Sequence, residues 1–317
     1  MITTNLNEAK QALINGDIIG LPTETVYGLA GNAYDESTVK KIFALKKRPF
    51  FNPLIVHIKS ADFLKEVAVD IPKIAIKLAK KFWPGALTLV LKKQAHIPDT
   101  VTAGKETVAI RVPNHPLTLG LLKSLDFPLA APSANPFGSI SPTCATHVLN
   151  YFNDELGVIL DGGACEKGVE STIIGFEGNQ PVLYRHGSVA LEDIEKLVGT
   201  VNITVNNDSK PDAPGMLSRH YAPKTTTFLT DDVNALIHEF SDKKIGLLLF
   251  KEEITEGSVV HQEVLSKTGN MNEAAKNLYA AMHRLDKANL DIIIAERLPN
   301  KGLGKTVNDR LERAVKK

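Results

Sequence analysis

Arg48, Asn52 and His57 stand four and five positions apart, across what the sequence predicts to be a helix end, a turn and an entering strand. Such spacing lets a guanidinium, an amide and an imidazole converge on one polyanion. The guanidinium suits phosphate because its planar fork donates two parallel hydrogen bonds. Lys46 and Lys47 precede Arg48, and cations at the end of a helix commonly do no more than complement its dipole. A solvated basic face is therefore the competing reading. Arg111 poses the same question in an apolar setting, Val108-Ala109-Ile110-Arg111-Val112. A charge buried there must find a partner. A structural salt bridge and a carboxylate-binding site account for it equally well.

Small polar side chains cluster elsewhere at predicted strand boundaries. They occur in Pro22-Thr23-Glu24-Thr25, Pro132-Ser133-Ala134-Asn135-Pro136 and Ser139-Ile140-Ser141-Pro142-Thr143. They recur in Gly168-Val169-Glu170-Ser171-Thr172 and Leu183-Tyr184-Arg185-His186-Gly187. Turn chemistry alone explains any one of these. Together they favour a ligand cavity, because open α/β sheets bind ligands at the carboxyl ends of their strands. Familiar phosphate and nucleophile motifs do not supply the chemistry. Gly304-Lys305-Thr306 looks like the end of a phosphate-binding loop, but position 299, where its first glycine belongs, is Pro299. There is no GxGxxG, GxSxG or HExxH.

The elements that must position these residues read as a mixed α/β domain to about residue 199. Short apolar runs at 18–21, 54–58, 87–91, 107–112, 157–160, 171–174 and 182–184 predict strands. Asp35 is a natural N-cap for a helix that ends before Pro49, and Pro72 suits the first turn of another. Further helices are predicted at 116–125 and 191–198. Residues 206–223 break the pattern with Pro, Gly, Asn and Asp, as a linker does. This linker nevertheless carries Met216, Arg219, His220 and Tyr221. Beyond it, strands at 244–250 and 291–295 alternate with helices at 272–287 and 307–315, the outline of a small parallel, Rossmann-like sheet. The expected divisions are 1–205, a linker or lid at 206–223, and 224–317.

Composition limits the function classes. With 37 Lys and Arg against 36 Asp and Glu, the net charge is +1, which argues against a strongly basic nucleic-acid protein. Hydrophobic residues make up 43% of the 317, enough for a sizeable core. Two cysteines, Cys144 and Cys165, exclude a disulfide framework and a CxxC-type zinc site. No apolar run approaches a membrane span and no leader is evident, so a cytoplasmic protein is expected.

Taken in order, PTETVYGL, KKRPFFNPLIVH, PGALTLVL, VAIRVPNHP, APSANPFGSISPT, DGG, GVESTII and LYRHG closely resemble the Sua5/YrdC/YciO family. The tail APGMLSRHYAPK, followed by a small α/β unit, looks like the long Sua5 form. The resemblance implies a twisted mixed sheet with flanking helices around a concave basic cavity, plus the smaller C-terminal domain. It also implies an L-threonylcarbamoyladenylate synthase. L-threonine, bicarbonate or CO2, and ATP would give threonylcarbamoyl-AMP and pyrophosphate. A partner threonylcarbamoyl transferase complex would then modify the adenosine beside the anticodon of tRNA, and tRNA itself is a further expected partner.

By motif position, Thr25, His57, Arg111, Ala131 and Ser171 look like the threonine site, with Arg111 taking the carboxylate. Arg48, Asn52, Thr107, Ser133, Ser141, Arg185 and Tyr221 look like the ATP site, Tyr221 reaching back from the linker. Lys46, Arg48, Ser133 and Asn135 match the family's catalytic quartet. Mg²⁺ is expected to be held mainly by the ATP phosphates, with neither cysteine acting as a nucleophile. A non-catalytic tRNA or double-stranded RNA binding module is the alternative. A carbamoyl transferase of the hydrogenase-maturation type would need zinc-finger cysteines that this sequence lacks.

Overall fold

The computed structural model describes residues 1–204, 213–214, 216 and 220–316. Of the predicted linker, only 213–214, 216 and 220–223 are among them; Arg219 lies outside.

The first part of the chain supplies β1 (Ile2–Thr3), α1 (Leu6–Ile14), β2 (Ile19–Leu21), β3 (Gly28–Asn32), α2 (Glu36–Lys46), β4 (Ile55–His57), α3 (Leu64–Val67), α4 (Lys73–Phe82), β5 (Leu87–Lys92) and α5 (Asp99–Thr102). There follow β6 (Thr107–Arg111), α6 (Pro116–Lys123), β7 (Leu129–Ala130), α7 (Ala145–Phe152), β8 (Val158–Leu160), β9 (Thr172–Glu177), β10 (Gln180–Arg185), α8 (Leu191–Val198) and β11 (Asn202–Ile203). The strands form one mixed sheet in the order β1-β8-β2-β3-β7-β4-β6-β5-β9-β10-β11. Local chemistry sets the boundaries. Asp35 caps α2 by accepting from the Ser37 N–H, and Lys47 closes it in the left-handed region at φ +52°. Pro72 precedes α4, whose apolar residues Ala75, Leu78 and Ala79 face the core.

Register aligns the predicted site residues. Strands β4 and β6 are parallel, with His57 opposite Arg111, and side chains at paired positions share a face. Strand β7 runs antiparallel to β4, so the loop after Ala130 leaves beside Ile55, with the Ala131 N–H donating to Ile55 O at 2.9 Å, at the other end of β4 from His57. Strands β9 and β10 form an antiparallel pair whose ends meet closely at Gly187. A Cβ there would lie 2.3 Å from the Thr172 nitrogen.

The second part contains β12 (Thr226–Thr230), α9 (Val233–Glu239), β13 (Ile245–Leu249), β14 (Val259–Val264), α10 (Met271–Asp286), β15 (Ile292–Glu296) and α11 (Leu303–Ala314). The strands pair in parallel in the order β12-β15-β13-β14. The small parallel sheet expected is present, but its last strand, β15, lies between β12 and β13, which a Rossmann order would keep adjacent. Helix α11 begins four residues before its predicted start. Gly304 lets this turn pack tightly, since a Cβ would sit 2.0 Å from the Pro299 carbonyl oxygen. Lys305 and Thr306 face the first sheet, Lys305 Nζ reaching Glu192 Oε1 at 2.7 Å and Thr306 Oγ1 donating to Gly187 O at 3.0 Å. The Gly-Lys-Thr triplet is thus an interdomain contact.

The main core lies against the large sheet around Phe43, Val56, Leu89, Ile110 and Phe152. The core beneath α10 and α11 is not confined to the second part. Val26, Ile140 and Val169 of the first part belong to it, alongside Leu278, Met282 and Leu311. Gly168, at φ +72°, allows that approach, because a Cβ would meet the Lys276 carbonyl oxygen of α10 at 2.1 Å.

Candidate functional site

One cleft lies against β4 and β6, lined by Ile55, His57 and Arg111, and is walled by the segments that follow β2 and β7, two strands that run opposite to β4. Thr25 enters it on a tight turn in which Thr23 Oγ1 donates to Val26 O at 2.6 Å and lies 2.8 Å from Thr25 Oγ1. Arg111 projects beside it from β6. Its Nε donates to Gly85 O and its Nη1 to Thr25 Oγ1, at 3.1 and 2.9 Å. Its Nη2 lies 2.7 Å from Glu24 Oε1, yet the two meet as charges without hydrogen-bond geometry. The sequence alternatives for Arg111 therefore coexist: it is ion-paired, and it lines the cleft. N–H groups remain on Nη1 and Nη2 for a ligand.

His57 is buried next to Arg111, with its Nδ1 unpartnered. Burial and the Arg111 charge push its pKa down to about 3, so the imidazole is neutral at physiological pH. Ser171, just before β9, lies 2.7 Å from Thr88 through the two hydroxyls and accepts from Arg185 Nη2 at 3.2 Å. Ala131 adds a small apolar wall. All five residues of the predicted threonine set line this one cleft of about 560 Å³, part of it open to solvent.

Cations line the opposite side. Arg48 is held by Asn52 O and Pro53 O at 3.1 and 2.8 Å, and Arg185 by Ser171 O and Pro214 O at 2.9 and 3.1 Å. Among the described residues neither meets a carboxylate in an ion pair. Burial depresses both pKa values, and Arg185 adds to the effect on Arg48. Two buried guanidiniums bound only by neutral groups attract an anion strongly.

Ser133 and Tyr221 complete the lining from the predicted ATP set. Tyr221 is buried at φ +64°, with its hydroxyl unpartnered. It packs against His220 and Tyr279, with ring centres 4.1 and 5.7 Å away.

Other predicted residues stand behind the surface. Lys46 is buried and donates to Ser133 O and Asn135 O, clamping the loop that presents Ser133. Burial, then Arg48, holds its pKa well below the ordinary range. Asn135 ties the same loop through Pro136 O and Ser139 O. Asn52 is wholly buried, with both amide atoms unpartnered. Ser141 is buried and donates to Glu170 Oε1 at 2.6 Å. Thr107 opens β6, four residues and about 13 Å along the strand from Arg111, and does not line the cleft.

The sequence reading missed several lining residues. Thr23, Glu170, Pro214 and His220 all face the cleft. Glu170 stood in a polar cluster that reads as a turn, and His220 in a segment whose composition reads as a linker; their only signal was size and charge in unlikely places. Among the described residues no group of three or more His, Cys, Asp or Glu side chains is arranged to hold a metal ion, and no helix is long and apolar enough to cross a membrane.

Comparison with known proteins supplies the context. The Sua5_yciO_yrdC family profile, described as "Telomere recombination", matches residues 11–187. The Sua5_C profile, "Threonylcarbamoyl-AMP synthase, C-terminal domain", matches residues 189–315. A threonylcarbamoyl-AMP synthase of Pyrococcus abyssi is 42% identical over 94% of this chain and 90% of its own length. One from Bacillus subtilis is 38% identical over 99% and 94%. The crystal structure of P. abyssi Sua5 complexed with L-threonine superposes with a TM-score of 0.92 at 40% identity, covering 98% of this chain and 94% of that one. Escherichia coli YciO, 22% identical, shares the fold of the first part with a TM-score of 0.51 over 59% of this chain and 93% of its own.

Proposed function

This chain belongs to the Sua5/YrdC/YciO family in its long form, and we propose that its cleft makes threonylcarbamoyl-AMP from L-threonine, bicarbonate or CO2, and ATP, releasing pyrophosphate. The observation that carries the reading is the convergence of Thr25, His57, Arg111, Ala131 and Ser171 on one cleft together with Arg48 and Arg185. An amino acid and a polyphosphate are the ligands that such a combination of side chains accommodates.

The chemistry follows from charge. The threonine nitrogen adds to CO2 and loses a proton, giving an N-carboxylate. A carboxylate oxygen then attacks the α-phosphorus of ATP, and the bond to pyrophosphate breaks. Two anions must approach, so the barrier is lowered by fixed positive charge in a dry site. Arg48 and Arg185 supply that charge without reorganisation, being held by backbone carbonyls. Arg111, with Thr25 and Ser171 beside it, orients the threonine. The neutral His57 leaves the charge balance to the arginines. Tyr221, His220 and Pro214 cover the cleft and keep water from the labile carbamate. No covalent enzyme intermediate is needed, and Cys165 is buried with its thiol pKa pushed up by burial.

Magnesium would arrive on the ATP phosphates, where it would neutralise charge. Among the described residues, Glu170 lines the cleft and Glu24 pairs with the cleft-lining Arg111; both are already engaged, by Arg310 and Arg111, so no protein cage for the ion is assigned and no step runs through one.

The product would pass to a threonylcarbamoyl transferase complex acting on tRNA in the cytoplasm. The near-neutral composition favours this over a stand-alone RNA-binding module. Pyrophosphate release from purified protein, with threonine and bicarbonate omitted in turn, tests the reading. It requires both substrates if the proposal holds; release indifferent to threonine, or none from folded protein, overturns it.

A further inference from the structure

A cleft built for a polyphosphate is lined by a carboxylate, Glu170. Left alone, that group would repel the ligand. It is not left alone, and its partners come from the second sheet domain. Arg310 of α11 donates through Nε to Glu170 Oε2 at 2.9 Å, and the Tyr279 hydroxyl of α10 lies 2.9 and 3.1 Å from the two carboxylate oxygens. Arg310 is fully buried, donates to His186 O at 2.7 Å and to Asp309, and lies 4.8 Å from the centre of the Tyr221 ring. Glu170 Oε1 in turn accepts from Ser141.

Arg310 therefore touches two sides of the predicted nucleotide site without lining it. Through Glu170 it fixes the Ser141 hydroxyl, and through its guanidinium face it supports Tyr221. Asp309, partly exposed, also accepts from Arg313 Nε at 2.9 Å, so Arg310 is shared between two carboxylates, and Arg185 is a further cation acting on Glu170. Remove Arg310 and Glu170 loses its ion pair, leaving Arg185 to offset both that carboxylate and the triphosphate in a medium where charges a few ångströms apart are weakly screened.

We propose that Arg310, with Tyr279, is a positioning residue for ATP: the second domain neutralises Glu170 and thereby makes the nucleotide half of the cleft competent. This rests on the reading of the cleft as a threonylcarbamoyl-AMP synthase site. Helix α11 then has a role in substrate binding although none of its side chains reaches substrate.

Calorimetric titration of the full chain tests this, with ATP in the absence of threonine and separately with threonine. Arg310→Met should weaken ATP binding about tenfold or more, and threonine binding by less than about threefold. Arg310→Lys, which keeps the charge, should lose less. The Glu170→Gln/Arg310→Met double variant should regain most of the lost ATP affinity, because no uncompensated carboxylate remains; packing loss alone would not be rescued. Glu170→Gln by itself leaves Arg310 in charge excess and should bind ATP at least as tightly as the wild type, which keeps the test alive if Arg310→Met does not fold. Unchanged ATP affinity in Arg310→Met, an unrescued double variant, or weaker binding in Glu170→Gln each overturns the inference. A wild-type chain that binds threonine but no ATP overturns the functional reading and this inference with it; ATP binding by the wild type with no effect of Arg310 leaves the functional reading standing.

Discussion

Glu24 Oε1 lies 2.7 Å from Arg111 Nη2, with both side chains withdrawn from solvent. The ion pair sits directly behind the surface that threonine is proposed to occupy. Breaking such a pair from one side is costly because the other charge stays buried. Arg111→Ala should therefore destabilise the protein by about 3 kcal/mol or more in denaturant titration. The Glu24→Gln/Arg111→Met double variant should recover much of that stability while still failing to release pyrophosphate with threonine. Recovery of both would show that Arg111 serves the fold alone.

Lys46 poses the opposite case. Its ammonium is buried but donates to Ser133 O and Asn135 O. Charge-assisted bonds of about 1.5–3 kcal/mol each are set against an ammonium desolvation cost of several kcal/mol. Lys46→Met should change the melting temperature little and reduce kcat/KM for ATP about tenfold or more, because the Ser133 loop loses its clamp. A large fall in melting temperature with unchanged kcat/KM would refute this division.

The sequence made part of this arrangement legible. Strands β2, β4, β5 and β6 were readable because apolar runs end at prolines or polar clusters. From these the cleft-lining residues could be placed at strand ends. Strand β3, Gly-Leu-Ala-Gly-Asn, was not readable, having two glycines and no β-branched residue. Strands β12 and β14, together with α9, also escaped notice: the strands are half-exposed and carry Thr, His, Gln and Glu, so the buried apolar run that marks β13 is missing. Arg310 stands in Asp-Arg-Leu-Glu-Arg, which reads as a solvated helix face, and its partner Glu170 is 140 positions away. No local pattern carries information across that distance, so the pair becomes visible only in three dimensions.

His147 and His283 stack across the domain boundary with ring centres 3.8 Å apart. Burial, the neighbouring imidazole, Lys287 and Arg284 hold His147 down at about 3. Burial, with Lys287, holds His283 at about 4. Both fall below the ordinary value of 6.5, so on acidification the unfolded chain takes up protons first. Stability should then fall as pH drops from about 6.5 towards 4. The loss attributable to these groups should level off below their folded values. Unfolding midpoints between pH 7 and 4 should show the slope, and His283→Phe should flatten it. A His283→Phe protein with an unchanged acid slope would place the protons elsewhere.

Gly168 and Gly104 share a left-handed backbone, φ +72° and +74°, but differ in surroundings. A Cβ at Gly104 meets nothing within 4 Å, whereas one at Gly168 runs into the Lys276 carbonyl. Gly104→Ala should cost only the conformational strain, about 1–2 kcal/mol. Gly168→Ala should cost that plus a clash of about 1–3 kcal/mol, and it should lower pyrophosphate release by levering α10 away from Glu170. Equal stability losses in the two variants would mean that the interface yields freely.

The shared core beneath α10 and α11 also has a consequence in time. Val26, Ile140 and Val169 each neighbour a site residue, Thr25, Ser141 or Glu170, and each finds its packing partners on helices encoded more than 100 positions later. Chains are synthesised from the N-terminus, and domains tend to fold as they emerge. The large sheet can therefore assemble on the ribosome while the walls beside Thr25, Ser141 and Glu170 still face water. A nascent chain that had folded its first sheet would hold most of the substrate contacts without a finished site. On the proposal made above for Arg310, ATP would be held at full strength only once α11 docks, so that a product of translation truncated before Arg310 would bind it more weakly.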